Sequence, residues 1–184
     1  MVGRGEETSG QSPWRPLHSV PHPRAARGRA DRAERAGCER GWRERFALVG
    51  APAGDACFLA SGPTVESLFR NASEKLLEHT VERADLIRDR VASQVTLVET
   101  ELDFLLPRFL NGLVYLREAG LLLLRARDVR LDLSDKIRLH CDLAGEIFDP
   151  ARHKLIREVT RVTTHPVRAL HGRRAWEALV TLRV

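Results

Sequence analysis

In several segments between residue 121 and residue 184, apolar and polar residues alternate, and this alternation constrains the fold more than any other feature. Successive side chains of a β-strand point to opposite faces, so alternation predicts strands that bury one face. The predicted strands are LLLLRARDVRLDL, KIRLHCDL, KLIREVTRVTTH and AWEALVTLRV. Ser134 and Asp135 separate the first two, and HGRR separates the last two, as in hairpin turns. The sequence therefore predicts antiparallel sheet here.

Two earlier segments have the helical period instead. Gly62 and Pro63 end a strand, and Thr64 is a suitable N-cap for a helix over GPTVESLFRNASEKLLEHT. A second helix is predicted over LDFLLPRFLNGLVYL, where Pro107 would remove a backbone donor. Apolar residues at spacings of three and four form a stripe on each helix: Val65, Leu68, Phe69, Ala72, Leu76 and Leu77, then Leu102, Leu105, Leu106, Phe109, Leu110, Leu113 and Val114.

Shorter strands are predicted in FALVG, DACFLAS and QVTLVET. Strand pairs, two amphipathic helices and a run of antiparallel strands together indicate an α+β fold. In this fold the two amphipathic helices pack on antiparallel sheets. We expect it to occupy residues 46–184.

Residues 1–45 are rich in Gly, Pro, Ala and Arg and are predicted to form a disordered tail. They contain 10 arginines and 6 acidic residues, a net charge of +4, whereas residues 46–184 contain 20 basic and 19 acidic residues. The net charge of +5 is therefore mostly in the tail. The tail is either an arm that contacts RNA or a dispensable extension.

The three cysteines, Cys38, Cys57 and Cys141, are far apart and form no CxxC pair. This spacing supports neither a zinc site nor a disulfide framework, so a reducing cytoplasm is the expected location. No apolar run approaches the roughly 18 residues that a membrane span needs, and no secretory leader is recognisable. We therefore expect no contact with a membrane.

The common catalytic motifs are absent: the sequence has no GxSxG, HExxH, P-loop lysine or GxGxxG. Cys57 lies inside an apolar strand and is expected to be a buried structural thiol. His140 alternates with core residues and is expected at the surface. His165 ends a strand and is expected to be structural.

Two further groups of polar residues resemble ligands for a metal. EHTVERAD, residues 78–85, contains two Glu, one Asp and one His but is interpreted as a solvated helix end. Asp55 enters the ACFLA strand, where a carboxylate can bind a hard cation. One carboxylate does not make a calcium or magnesium site, which needs several oxygen ligands.

Four segments, in this order and spacing, resemble the archease family. They are GDACFLASGPTVESLFRNAS, LDFLLPRFLNGLVYLREAGLLL, GEIFDPARHKLIREVTRVTTH and AWEALVTLRV. The third is similar to the family's Gly-Glu-x-hydrophobic-Asp-Pro-x-Arg-His hairpin. The resemblance covers about residues 46–184.

The resemblance implies an accessory protein and not an enzyme. Archeases assist the RNA ligase that joins 2′,3′-cyclic-phosphate or 3′-phosphate ends to 5′-hydroxyl ends in tRNA splicing and RNA repair. They promote guanylylation and turnover of that ligase, and a chaperone-like action on a tRNA methylase is also linked to the family. The expected partner is therefore a tRNA-splicing RNA ligase, with tRNA involved indirectly.

The resemblance also implies a site for calcium or another divalent metal, which this sequence keeps only in part. Asp55 matches the aspartate of the family's His-Thr-Ala-Asp motif, but Pro52 and Ala53 replace its His and Thr. Arg183 stands where the family has a second acidic ligand, and Val184 would offer main-chain oxygens.

An arginine at this position changes the electrostatics of the site. Two unit charges about 4 Å apart interact by roughly 4 kcal/mol at an effective dielectric near 20, and a divalent ion doubles that repulsion. We therefore expect the Arg183 guanidinium to take the place of the metal and to pair with Asp55. A diverged RNA- or protein-binding module without ligase activation is the alternative function, and an enzyme is a third.

Overall fold

Helix α1 begins where the sequence predicts it. In the computed structural model, which describes residues 14–17, 55–170 and 175–184, α1 spans Val65–Thr80 with Thr64 as its N-cap. The Thr64 hydroxyl accepts the Ser67 amide at 3.2 Å, and the Ser67 hydroxyl accepts the Thr64 amide at 2.9 Å. This reciprocal capping box satisfies two amides that the helix cannot pair internally. All six residues of the predicted stripe are buried.

Helix α2 spans Leu102–Gly120 and contains Pro107 in its second turn without ending there. The Asn111 amide nitrogen donates to the carbonyl oxygens of Pro107 and Val162, both at 2.7 Å. The Asn111 amide oxygen accepts the Val162 backbone N–H at 2.9 Å. Asn111, one turn after Pro107, therefore ties α2 to a neighbouring strand. It also adds a hydrogen bond at Pro107, which itself has no backbone donor.

The strands form two antiparallel sheets in the described part of the chain. Sheet A has the order β1-β3-β5-β4, and sheet B has the order β2-β8-β6 with β7 also paired to β8. The bounds are β1 Trp14–Leu17, β2 Ala56–Gly62, β3 Val91–Glu99, β4 Leu122–Asp132, β5 Ile137–Ile147, β6 Arg161–Thr164, β7 Arg168–Leu170 and β8 Ala175–Arg183. A short 3-10 helix, Ala84–Leu86, precedes β3.

The main core joins both sheets and both helices. Helix α1 packs on β2 and β4, while α2 packs on β4 and β6. The rings of Phe69 and Phe109 meet at 5.7 Å between centroids and join the two helices. This arrangement confirms the predicted α+β fold with two helices on antiparallel sheets. Within the described residues, none of the helices is both long and apolar enough to cross a bilayer.

The structure differs from the predicted strands in three places. Trp14–Leu17 forms strand β1 on the edge of β3, although these residues lie in the predicted disordered tail. The strand predicted over 154–165 pairs as β6 only from Arg161 to Thr164. Strand β7 was not predicted. The predicted FALVG strand and the HGRR turn lie outside the described residues.

Segment 78–85 is only partly the solvated helix end that the sequence predicts. Val81 is 1% exposed and Ala84 is 9% exposed, and both pack into a second apolar cluster with Ile87. The His79 ring stacks on Phe58 with 5.1 Å between ring centroids. This burial, with the nearby charges of Arg157 and Lys75, lowers the pKa of His79. The segment therefore closes one end of the core.

Candidate functional site

The three residues predicted for the metal site lie together at one end of sheet B. Ala56 of β2 pairs with Leu182 of β8, so the same antiparallel register places Asp55 beside Arg183. Val184 follows directly and is 51% exposed. The fold therefore brings the family-like positions together, as the resemblance implies.

Arg183 points away from the core, and a second arginine lies opposite it. Leu182 is 0% exposed and Val162 is 1% exposed, so the residues next to them in β8 and β6 face outward. The pairing of β6 with β8 places Arg161 opposite Arg183, and both are exposed. Two guanidinium groups therefore share the outer face of sheet B beside one carboxylate.

The next row of this face consists of small polar side chains. Thr163 lies opposite Thr181, and Thr181 lies opposite Cys57 on its other side. The Cys57 sulfur and the Thr181 hydroxyl oxygen are 3.4 Å apart. We call the surface formed by Asp55, Cys57, Arg161, Thr163, Thr181 and Arg183 the outer patch.

The residues of the outer patch do not fit a divalent cation. A cation there would meet the Asp55 carboxylate and the Val184 main-chain oxygens but also the charges of Arg161 and Arg183, whereas calcium takes six to eight oxygen ligands. Within residues 55–170 and 175–184, no group of three or more His, Cys, Asp or Glu side chains could hold a metal ion. The single carboxylate leaves the repulsion from both arginines uncompensated.

The predicted ion pair of Asp55 with Arg183 stays a prediction. The two positions are neighbours in register, but in the described part of the chain neither side chain forms an ion pair or hydrogen bond with the other. The side chain of Arg161 likewise has no hydrogen bond or ion pair to a described residue. Both guanidinium groups therefore have their donors available at the surface.

Sequence reasoning missed Arg161, although the sequence contains a signal for it. Arg161 and Thr163 flank Val162, and Thr181 and Arg183 flank Leu182 in the opposite order. Antiparallel pairing of these two triplets places arginine opposite arginine and threonine opposite threonine. The signal becomes readable only when the two strands are known to be partners in that register.

The other candidate residues do not form a nucleophile and base. The prediction of a buried Cys57 is wrong, because this side chain lies on the outer face of sheet B beside Thr181 and is only half-buried. The exposed His140 lies on sheet A with its Nδ1 3.1 Å from the Thr96 hydroxyl oxygen. The His165 amide donates to the Leu179 carbonyl at 2.9 Å, which fixes the end of β6. Burial, with the charges of Asp142 and Asp128, raises the pKa of the Cys141 thiol to about 12. That thiol stays protonated near neutral pH.

The hairpin-like segment 145–153 is organised around a buried carboxylate. Glu146 is 2% exposed, and its Oε1 accepts the Arg88 amide at 3.1 Å. Two nitrogens of Arg152 lie 3.1 and 3.4 Å from the two carboxylate oxygens. Burial alone would raise the pKa of Glu146. The hydrogen bonds from Arg152, Arg88 and His153 outweigh burial and hold this pKa below its ordinary value.

His153 completes this cluster and is held by bonds at both ring nitrogens. Its Nδ1 accepts the Asp149 amide at 2.9 Å, so Nε2 carries the ring proton and donates it to Glu146 at 3.1 Å. The Asp149 carboxylate accepts the Ala151 amide at 2.9 Å, which forms the turn at Pro150. These hydrogen bonds hold the segment in one conformation around the buried carboxylate.

The model of the Archease protein family matches residues 50–184. No curated protein matches the chain in sequence. Among solved structures, the chain is similar to the solution structure of Methanobacterium thermoautotrophicum protein 1598, with a TM-score of 0.62 and 24% sequence identity. That similarity covers 73% of this chain and 96% of the other, and it supports the fold alone.

Proposed function

Because the chain belongs to the archease family, we propose that it is an accessory protein that activates an RNA ligase. The proposed partner joins RNA ends with a 2′,3′-cyclic phosphate or 3′-phosphate to 5′-hydroxyl ends. The protein promotes guanylylation of the ligase and its turnover during tRNA splicing or RNA repair, and tRNA is involved only as the substrate of the ligase. The observation that carries this proposal is the family match over residues 50–184.

The chemistry of the described residues supports a role through contact with a partner. The Glu146 cluster uses its polar groups internally, and the Cys141 thiol is buried and protonated. The outer patch instead presents charged and polar side chains at the surface, on strands that the core holds rigidly. A surface of this kind suits binding to another protein better than chemistry of its own.

The first prediction concerns guanylylation of the ligase. Adding the full chain at a stoichiometric ratio to an RNA ligase of this class, with labelled GTP, should raise the rate of guanylylation and allow several rounds of joining. Measuring single-turnover joining with and without the protein separates activation of the ligase from release of the joined product. The variant Arg138→Asp, which changes an exposed arginine on sheet A, is the control for Arg183→Asp and Asp55→Ala.

Unchanged guanylylation and unchanged turnover at stoichiometric ratios would contradict ligase activation. They would favour the second function, a diverged RNA- or protein-binding module. Pro52, Ala53 and Arg183 motivate this alternative, since they replace residues of the family's metal site. This module would bind RNA without stimulating the ligase. Its affinity for RNA would fall steeply with salt as counterion release fades.

The second prediction concerns calcium. We propose that the natural sequence does not hold a divalent metal at the outer patch, because Arg161 and Arg183 repel a cation there. Calorimetric titration with calcium should give no heat of binding for the natural chain. The variant Arg183→Asp removes one positive charge and adds a second carboxylate beside Asp55. The double variant with Arg161→Gln also removes the second positive charge.

The double variant should bind calcium at least about tenfold more tightly than the weakest binding that the titration of the natural chain could detect, which corresponds to about 1.4 kcal/mol. The control Arg138→Asp makes the same charge change on the other sheet and should leave calcium binding unchanged. Tight calcium binding by the natural chain would contradict the prediction.

A further inference from the structure

Among the described residues, the side chains of Arg161 and Arg183 have no hydrogen-bond or ion-pair partner, and they lie side by side where the family resemblance implies a cation. We propose that this face binds a phosphate-type oxyanion between Arg161 and Arg183. The ligand is inorganic phosphate or the phosphate group of a nucleotide, since both present the same oxygens. This inference does not depend on activation of a ligase, because it rests only on the residues of the patch.

The register of the sheet fixes the points from which the two arginine side chains start. Arg161 and Arg183 are directly opposed on β6 and β8, and opposed residues of an antiparallel pair have Cβ atoms about 4.5–5.5 Å apart. Long side chains that start this close can converge on one ligand. Because the guanidinium fork matches the oxygens of a phosphate, two such groups can bind it from two sides.

The row beside the arginines offers hydroxyl donors on the same face. Thr163 and Thr181 are opposed two residues along the same strands, so their side chains point to the same side as the arginines. The Thr181 hydroxyl contacts the Cys57 sulfur at 3.4 Å and keeps further hydrogen-bonding capacity. A phosphate would therefore meet two cations and two hydroxyl groups.

The charge balance of the patch favours an anion. Like charges directly opposite one another on a sheet are destabilising, and the outer patch has two arginine side chains against one carboxylate side chain, that of Asp55. A bound phosphate removes that repulsion. Asp55 is the competitor, because it lies beside Arg183 in register and its charge repels a phosphate. The proposal therefore predicts that losing the Asp55 charge strengthens binding of the anion.

The test is an NMR titration of the full chain with inorganic phosphate, followed at the backbone amides of Thr163 and Thr181. The variants Arg161→Gln and Arg183→Gln should each weaken phosphate binding about tenfold or more, as expected for the loss of a charged hydrogen-bond donor. The variant Asp55→Asn should strengthen it. The control Arg138→Gln removes an exposed arginine from sheet A and should change the dissociation constant less than about twofold.

Adenosine monophosphate and adenosine identify the source of the oxyanion. Equal binding of phosphate and adenosine monophosphate supports a site for the oxyanion alone, and tighter binding of the nucleotide supports a nucleotide phosphate. The proposal is overturned if adenosine alone shifts the same amides, or if no ligand shifts them. Equal weakening by Arg138→Gln would also overturn it, because binding would then follow net charge and not the opposed pair.

Discussion

Replacing Glu146 with glutamine is expected to lower the free energy of unfolding by about 3 kcal/mol. The variant Glu146→Gln keeps the size of the side chain but removes the charge that Arg152 and the Arg88 amide face. Removing one partner of a buried ion pair typically costs about 3–5 kcal/mol, and the low end applies because Arg152 is 39% exposed. Urea unfolding followed by circular dichroism measures the change.

The variant Glu82→Gln is the matched control. It makes the same substitution in an exposed pair, in which the Glu82 and Lys154 side chains are 52% and 73% exposed. Exposed pairs contribute little, so the control should change the free energy of unfolding by less than about 1 kcal/mol. Equal losses in both variants would show that burial of the Glu146 cluster does not matter.

The pH dependence gives this prediction a second readout. The pKa of Glu146 is lower in the folded protein, so its stabilisation is fully present above the ordinary glutamate pKa, about 4.3. It is lost as the pH falls through the folded-state pKa. The difference in stability between the natural chain and Glu146→Gln should therefore be constant near neutral pH and shrink below about pH 4. A difference that persists in acid would contradict the electrostatic explanation.

Replacing Gly145 with alanine is expected to destabilise the protein by about 3 kcal/mol or more. Gly145 lies in β5 between Val91 of β3 and Leu124 of β4, in the interior of sheet A. A Cβ atom there would overlap the carbonyl oxygen of Leu123 and would lie 3.0 Å from the Leu124 Cα. Both are backbone atoms of a paired strand, so they cannot move aside without breaking the sheet.

The variant Gly120→Ala is the control for this clash. A Cβ atom at Gly120 would meet only the Leu122 side chain, at 3.3 Å, and that side chain can rotate. This substitution at the end of α2 should change stability by less than about 1 kcal/mol. Thermal unfolding measures the stability of both variants. If Gly145→Ala is as stable as Gly120→Ala, then β4 can shift to accommodate the added methyl group, which contradicts the prediction.

The elements with a local pattern were predictable from the sequence. The stripe from Val65 to Leu77 and the N-cap at Thr64 depend on residues within one helix, and the structure confirms both. The hairpin around Ser134 and Asp135 is confirmed for the same reason, since β4 ends at Asp132 and β5 begins at Ile137. Hydrophobic periodicity and helix capping depend on residues that lie close together in the sequence.

The features that depend on distant residues were not predictable in this way. Residues 154–160 alternate like a strand, yet Leu155 bridges to Val81 and the Ile156 amide donates to Thr80. This part of the chain covers the end of α1 instead of joining the sheet. The pairing of Arg161 with Arg183 depends on register, and the burial of Glu146 depends on Arg152 and Arg88 folding over it.

Strand β1 shows that the folded unit is longer than the region shared with relatives. The family match begins at residue 50, whereas Trp14–Leu17 lies along β3 from Ala92 to Val95. Pro16 is tolerated there because an edge strand does not need every amide. A protein shortened to residues 46–184 would leave the nine-residue strand β3 as an open edge. Open edges are templates for pairing between molecules, so we expect the shortened protein to self-associate more than the full chain.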